Sequence, residues 1–149
     1  MDTVNFRGDD GQALVIAVLG IGIAAVTIVG LRDAQDRILA EAHARRAGEA
    51  AVEAAGAALA DAQAALITRV RAQRGRAASL VRREELAQLI SDPAVIEAAL
   101  AAARELAAEN RAGAPTDLLI RDVGADLEVL LTVDRRRHRA AIGAACCRP

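Results

Sequence analysis

The sequence predicts an α+β, membrane-anchored chain. A long N-terminal helix opens as a transmembrane span and continues as a stalk, further helices follow, and a small antiparallel β-meander occupies the C-terminal part. Three observations carry that prediction. Ala13 to Leu31 holds no charged residue. From Arg32 to Gln73 there is no proline. After Pro115 the apolar residues change from helical spacing to alternation. The segments expected are a polar leader at 1–11, a transmembrane helix at 12–31, a helical stalk at 32–74, an Arg-rich bend with helices at 75–115, and the meander at 116–149.

The chain has 149 residues and a formal net charge of -1, a size that suits one domain with an attached segment. Hydrophobic residues make up 54% but aromatic ones only 1%, with a single Phe. The apolar content is mostly Ala, with Leu, Val and Ile. Burying Ala stabilises little, since a buried methylene is worth about 0.8 kcal/mol. A large independent core is therefore not expected, whereas helix formation and close helix approach are. Every basic side chain apart from the two His is Arg. The near-neutral balance argues against nucleic acid as a partner.

Ala13 to Leu31 has the length that a membrane helix needs, about 20 residues at a rise of 1.5 Å. A secretory signal would have a shorter apolar region and a basic start; here "MDTVNFRGDD" sets one Arg against three Asp. Arg32, Arg37, Arg45 and Arg46 follow the span, and counted alone they put the C-terminal part in the cytoplasm. They are interleaved with Asp33, Asp36 and Glu41, which blurs that count.

In the stalk, Leu31, Ile38, Val52, Leu59 and Leu66 share one heptad position, interrupted by Arg45. The complementary positions are mostly Ala, Gly, Glu and Gln. An amphipathic stalk packing on its own C-terminal part is expected over a self-associating coiled coil. Gly48 and Gly56 are its only helix-weakening residues.

"RVRAQRGRAASLVRR" spans Arg69 to Arg83 without an acid. Gly75 is expected to break the long helix, and the run to be a solvated bend partly neutralised by Glu84 and Glu85. Anionic lipid headgroups or an acidic partner are the functional alternative; a nucleic-acid patch is a further one, but no aromatic residue interleaves to stack on bases. A short helix from Ser79 to Ile90 follows. Ser91 or Asp92 then caps a second helix with Pro93 in its first turn. Val95, Ile96, Ala99, Leu100, Ala103, Leu106 and Ala107 line one face, and Asn110 and Gly113 end it.

In "ADLEVLLTV", Leu127, Val129, Leu131 and Val133 alternate with Asp126, Glu128, Leu130 and Thr132, as in a half-buried strand. Asp134 to His138 reads as a polar turn. Ala140, Ile142, Ala144 and Cys146 then share a face of a returning strand. Asp117 to Val123 supplies the third, set off by Gly124.

The first 60 or so residues resemble TadG-like and TadE-like proteins of bacterial Tad (Flp-type) pilus assembly. The resemblance rests on Gly11, on Gln12-Ala13-Leu14-Val15, and on the Ala-rich continuation to Gly56 and Ala58. It implies a pilin-like fold, with a long N-terminal helix and a C-terminal antiparallel sheet. It also implies prepilin peptidase cleavage between Gly11 and Gln12. The family's usual Glu at the fifth mature position would fall at Ile16, so this chain departs from the pattern there. The implied topology is single-pass in a bacterial inner or cytoplasmic membrane, with the C-terminal domain outside the cytoplasm, opposite to the Arg count. The implied partners are membrane lipid and other pilin-like or pilus-assembly subunits.

Cys146 and Cys147 are adjacent, and no other Cys occurs. Their Cα atoms lie about 3.8 Å apart across a trans peptide, closer than the usual disulfide range. An unstrained disulfide must therefore join another chain. The alternatives are one buried small hydrophobe with one reactive thiol, or an intersubunit disulfide. His43 and His138 are expected to be exposed polar residues. With no nucleophile motif, phosphate loop or carboxylate pair, no catalytic residue, cofactor or metal is assigned, and the chain is not expected to be an enzyme. The expected function is that of a membrane-anchored pilin-like structural or assembly protein, acting by helix packing and partner docking. The alternatives are a bitopic scaffold unrelated to pili and an anchored regulator facing the cytoplasm.

Overall fold

The computed structural model describes residues 9–74 and 81–144, with side chains described from Val15 onward. Three helices precede three strands: α1 (Asp9–Arg74), α2 (Arg83–Ile90), α3 (Pro93–Glu109), β1 (Leu118–Val123), β2 (Asp126–Val133) and β3 (Arg136–Gly143). The fold is α+β, with a long apolar N-terminal helix and an antiparallel sheet. The chain divides between Ala42 and His43 into two units.

The first unit holds the beginning of α1. Its large apolar side chains from Val15 to Leu31 are all exposed, as are Ile38 and Leu39. Arg37 pairs with Asp33 one turn earlier, at 2.8 Å.

The second unit contains one core. Ala51, Val52, Ala55 and Leu59 of α1 enter it with Leu86 of α2, Ala99, Ala103 and Ala107 of α3, and Leu127, Val129, Leu131 and Val133 of β2. From Val52 onward the stalk packs on its own C-terminal part, as its stripe predicts, with Val52 and Leu59 buried and Leu66 against the core; Leu31 and Ile38 of the same stripe are exposed and belong to the first unit. Alanine on α1 and α3 keeps those helices thin, and the leucines and valines of β2 fill the space.

The turn between α2 and α3 follows the sequence punctuation. Asp92 Oδ1 accepts the amide of Ala94 at 2.9 Å, and Pro93 occupies the first helical position, where a missing N–H costs nothing. Beyond α3, Arg111 takes a left-handed conformation (φ 56°). The amide of Ala112 reaches the carbonyl of Ala107 at 2.9 Å and that of Arg111 the carbonyl of Ala108 at 3.0 Å. This is a Schellman ending with Arg where glycine is commonest.

The strands run in the order β1-β2-β3, all antiparallel. The register stacks Leu118, Leu131 and His138 in one row of the inner face, and Ile120, Val129 and Ala140 in the next. Gly124 (φ 77°) is the only positive-φ residue of the β1–β2 turn, and its amide donates to Asp122 Oδ1 at 3.0 Å. The β2–β3 turn is shorter than the polar run Asp134 to His138 suggests. Only Asp134 and Arg135 form it, both with positive φ as a two-residue I′ hairpin requires. Strand β3 begins at Arg136, so His138 lies within the strand, and at 8% exposure it is buried. That corrects its expected exposure; His43 is exposed, as expected.

Candidate functional site

Two features stand out as functional candidates: the bare apolar stretch of α1 in the first unit, and the seam in the second unit where β3 lies on α1. The apolar stretch is long enough to cross a membrane, with a mean hydropathy of 2.3 over its best window and none of that window buried. Nineteen residues, Ala13 to Leu31, extend about 28 Å as a helix, close to the ~30 Å hydrocarbon thickness of a bilayer. Its hydroxyl is satisfied internally, because Thr27 Oγ1 donates to the carbonyl of Ile23 at 2.8 Å. Gly20, Gly22 and Gly30 have open space where a side chain would be. Gly11 and Gln12 sit in the first turn of α1, which starts at Asp9.

The seam explains the two glycines that appear only to weaken the stalk. Gly48 and Gly56 are eight residues apart on one helical face, with Val52 between them. A Cβ on Gly48 would overlap the imidazole of His138, meeting Nε2, Cε1 and Cδ2. A Cβ on Gly56 would lie 3.5 Å from Ile142 Cγ2 and 3.9 Å from Ala140 Cβ, which is ordinary contact. The imidazole thus occupies the space left by the missing side chain of Gly48. Its Nε2 is buried without a hydrogen-bond partner among the described residues.

The two glycines therefore respond oppositely to substitution. Gly→Ala in a helix gains about 1 kcal/mol of propensity. At Gly56 nothing opposes that gain, and Gly56→Ala is expected to stabilise by up to about 1 kcal/mol. At Gly48 overpacking costs about 1–3 kcal/mol, and the buried ring has little room to retreat. Gly48→Ala is expected to lose up to about 2 kcal/mol net, and adding His138→Ala should recover most of it by vacating the clash. Thermal melts of the three variants decide this; equal effects at both glycines would sink it.

The Arg-rich bend is partly tied down. Arg74, the last residue of α1, forms a two-pronged ion pair with Glu85 of α2. Glu85 also accepts the backbone N–H of Arg82 at 3.0 Å, closing the start of α2. Arg83 pairs with Asp122 of β1 at 3.3 Å. Gly75 and Ser79 lie outside the described residues, but the helix expected from Ser79 starts later: Val81 and Arg82 are non-helical, Arg82 is the extended N-cap, and α2 begins at Arg83, where Glu85 closes its first turn. The Arg82 N–H, and after it the guanidinium of Arg74, hold the Glu85 carboxyl below its ordinary range. A carboxyl depressed in this way stabilises the fold fully above its unfolded pKa and loses that contribution as pH falls through the folded one. Glu85→Gln should therefore melt earlier than the parent chain at about pH 7, with the gap closing as pH falls below the ordinary carboxylate range. A gap independent of pH would show that the carboxylate charge is not what matters.

Cys146 and Cys147 lie outside the described residues. Among the described residues, no three His, Cys, Asp or Glu side chains are grouped to hold a metal. No protein-family model matches the chain, and no curated protein or solved structure matches it.

Proposed function

We propose that this chain is a membrane-anchored, pilin-like structural or assembly protein of a Tad-type pilus or secretion system. The observation that carries the reading is the division of labour along α1. Its early part bears exposed branched aliphatic side chains, and its later part, beyond His43, bears small residues covered by an antiparallel sheet. The first pattern suits lipid or neighbouring apolar helices, because helix backbone and the Thr27 hydroxyl need nothing from water. The second suits a head domain carried on that helix. Activity on this reading is packing: the apolar segment inserts, and the head domain docks on other pilus-assembly subunits.

The runner-up is a permanently anchored accessory protein, favoured by Ile16 at the position where the resemblance calls for Glu. Expression beside a Tad-type prepilin peptidase, followed by mass spectrometry of the mature N-terminus, separates the two. A new N-terminus at Gln12 supports the subunit reading. An intact Met1 supports the accessory reading. Labelling of Cys147 with a membrane-impermeant thiol reagent after mild reduction tests topology. Thiols that react only after lysis would place the head domain in the cytoplasm and overturn the proposed orientation.

A further inference from the structure

We propose that the second unit associates head to tail with a second copy of this chain, the solvent face of its sheet seating on the groove between α1 and α3 of the neighbour. The proposal rests on two complementary surfaces and is independent of leader cleavage.

The first surface is the outer face of the sheet. Leu119 of β1 and Leu130 of β2 are register partners there, and Leu119 is 45% exposed. They floor a hollow of about 150 Å³, with Arg121 and Arg137 among its lining residues. Neither arginine has an ion pair or hydrogen bond among the described residues, whereas neighbouring Arg139 is held by Glu128 at 3.1 Å. The hollow's lining also includes one acid, Asp117, which accepts the Thr116 hydroxyl at 3.4 Å and is outnumbered by the two arginines.

The second surface lies in the helical layer. Ala54 of α1 and Ala102 and Leu106 of α3 floor a groove of about 220 Å³, with Glu105 and Glu109 on its rim. These two carboxylates are one helical turn apart, with Cβ atoms about 6 Å from each other. They too have no partner among the described residues, whereas Glu97 is held by Arg104 at 3.0 Å.

An apolar floor with two unspent cations thus stands on one surface, and an apolar floor with two unspent anions on the other. A second copy satisfies both at once. Because the two surfaces differ, the contact is heterologous and propagates into a ring or a filament instead of stopping at a symmetric dimer.

The test is sedimentation of the full chain in detergent micelles, with two double charge reversals. Glu105→Arg/Glu109→Arg leaves two basic surfaces, and Arg121→Glu/Arg137→Glu leaves two acidic ones. Each variant alone should associate about tenfold more weakly than the parent, and an equimolar mixture should regain association because opposite signs again face each other. Parent association should also weaken with added salt. All four positions are exposed, and thermal melts verify folding. If a reversal fails to fold, the neutral Glu→Gln and Arg→Gln pairs replace it, with the loss expected to be smaller and salt-sensitive. A parent chain that stays monomeric, reversals without effect, or a mixture that fails to recover each overturns the proposal.

Discussion

Leu131→Ala is expected to remove about 2–5 kcal/mol of the second unit's stability, while Leu119→Ala on the same sheet changes it by less than about 0.5 kcal/mol. The difference comes from register alone. Leu131 points inward between Leu118 and His138 and is fully buried, whereas Leu119 points outward beside Leu130. The loss is large because few residues carry this core. Its fully buried larger side chains are all Leu or Val, and the helices contribute chiefly Ala. Alanine has too little surface for its burial to compensate, so a lost leucine leaves a cavity that rigid helices cannot fill. Against a total of about 5–15 kcal/mol for a typical domain, one such change brings the unit close to unfolding. Denaturant titration of both variants provides the measurement. Comparable losses at the two positions would mean that the sheet is paired in the other register.

Two arginines placed in the apolar stretch, Ile21→Arg with Val26→Arg, are expected to release the chain from membranes. Ten large aliphatic side chains between Val15 and Leu31 face outward there, and each favours insertion by about 0.3–0.6 kcal/mol. Each central arginine opposes it by about 2.5–3.5 kcal/mol. Two of them, with two aliphatics lost, outweigh the whole favourable sum. The same double change at Ile38 and Leu39, also exposed but beyond the apolar run, should leave membrane retention intact. Carbonate extraction followed by immunoblotting distinguishes them. Retention of the Ile21/Val26 variant in the carbonate-resistant pellet would sink the anchor, and with it the pilin-like reading.

Local patterns made much of this architecture legible. The alternation from Leu127 to Val133 is a period-two signal with an apolar residue at every inward position, and β2 follows it. The Asp92–Pro93 start of α3 is equally local, since cap and first turn are neighbours in sequence. The stripe through Val52, Leu59 and Leu66 marks the covered side of α1. What stayed hidden depended on partners far along the chain. "RRRH" masks the inward position of His138, because an outward arginine stands on each side of it and the turn uses Asp134 and Arg135 where glycine or asparagine would have announced it. Gly48 reads locally as a weak point in a helix; its purpose is visible only once the ring of His138 lies over it. The sheet hollow and the α1–α3 groove are likewise assembled from separate elements, so no single stretch of sequence displays either.

The pairing of Gly48 with His138 also sets a schedule for synthesis. The two residues are about ninety positions apart, so at ordinary elongation rates the ribosome needs roughly 5–20 s to deliver the second after the first. Throughout that interval the Gly48 face of α1 lacks the β3 residues that cover it, however early the helix itself forms. The meander closes quickly through its tight turns, but the cover of β3 over α1 awaits translation of Arg136–Gly143. Nascent chains halted before Arg136 should therefore expose this helix face to chaperones and proteases, and those released after Gly143 should not.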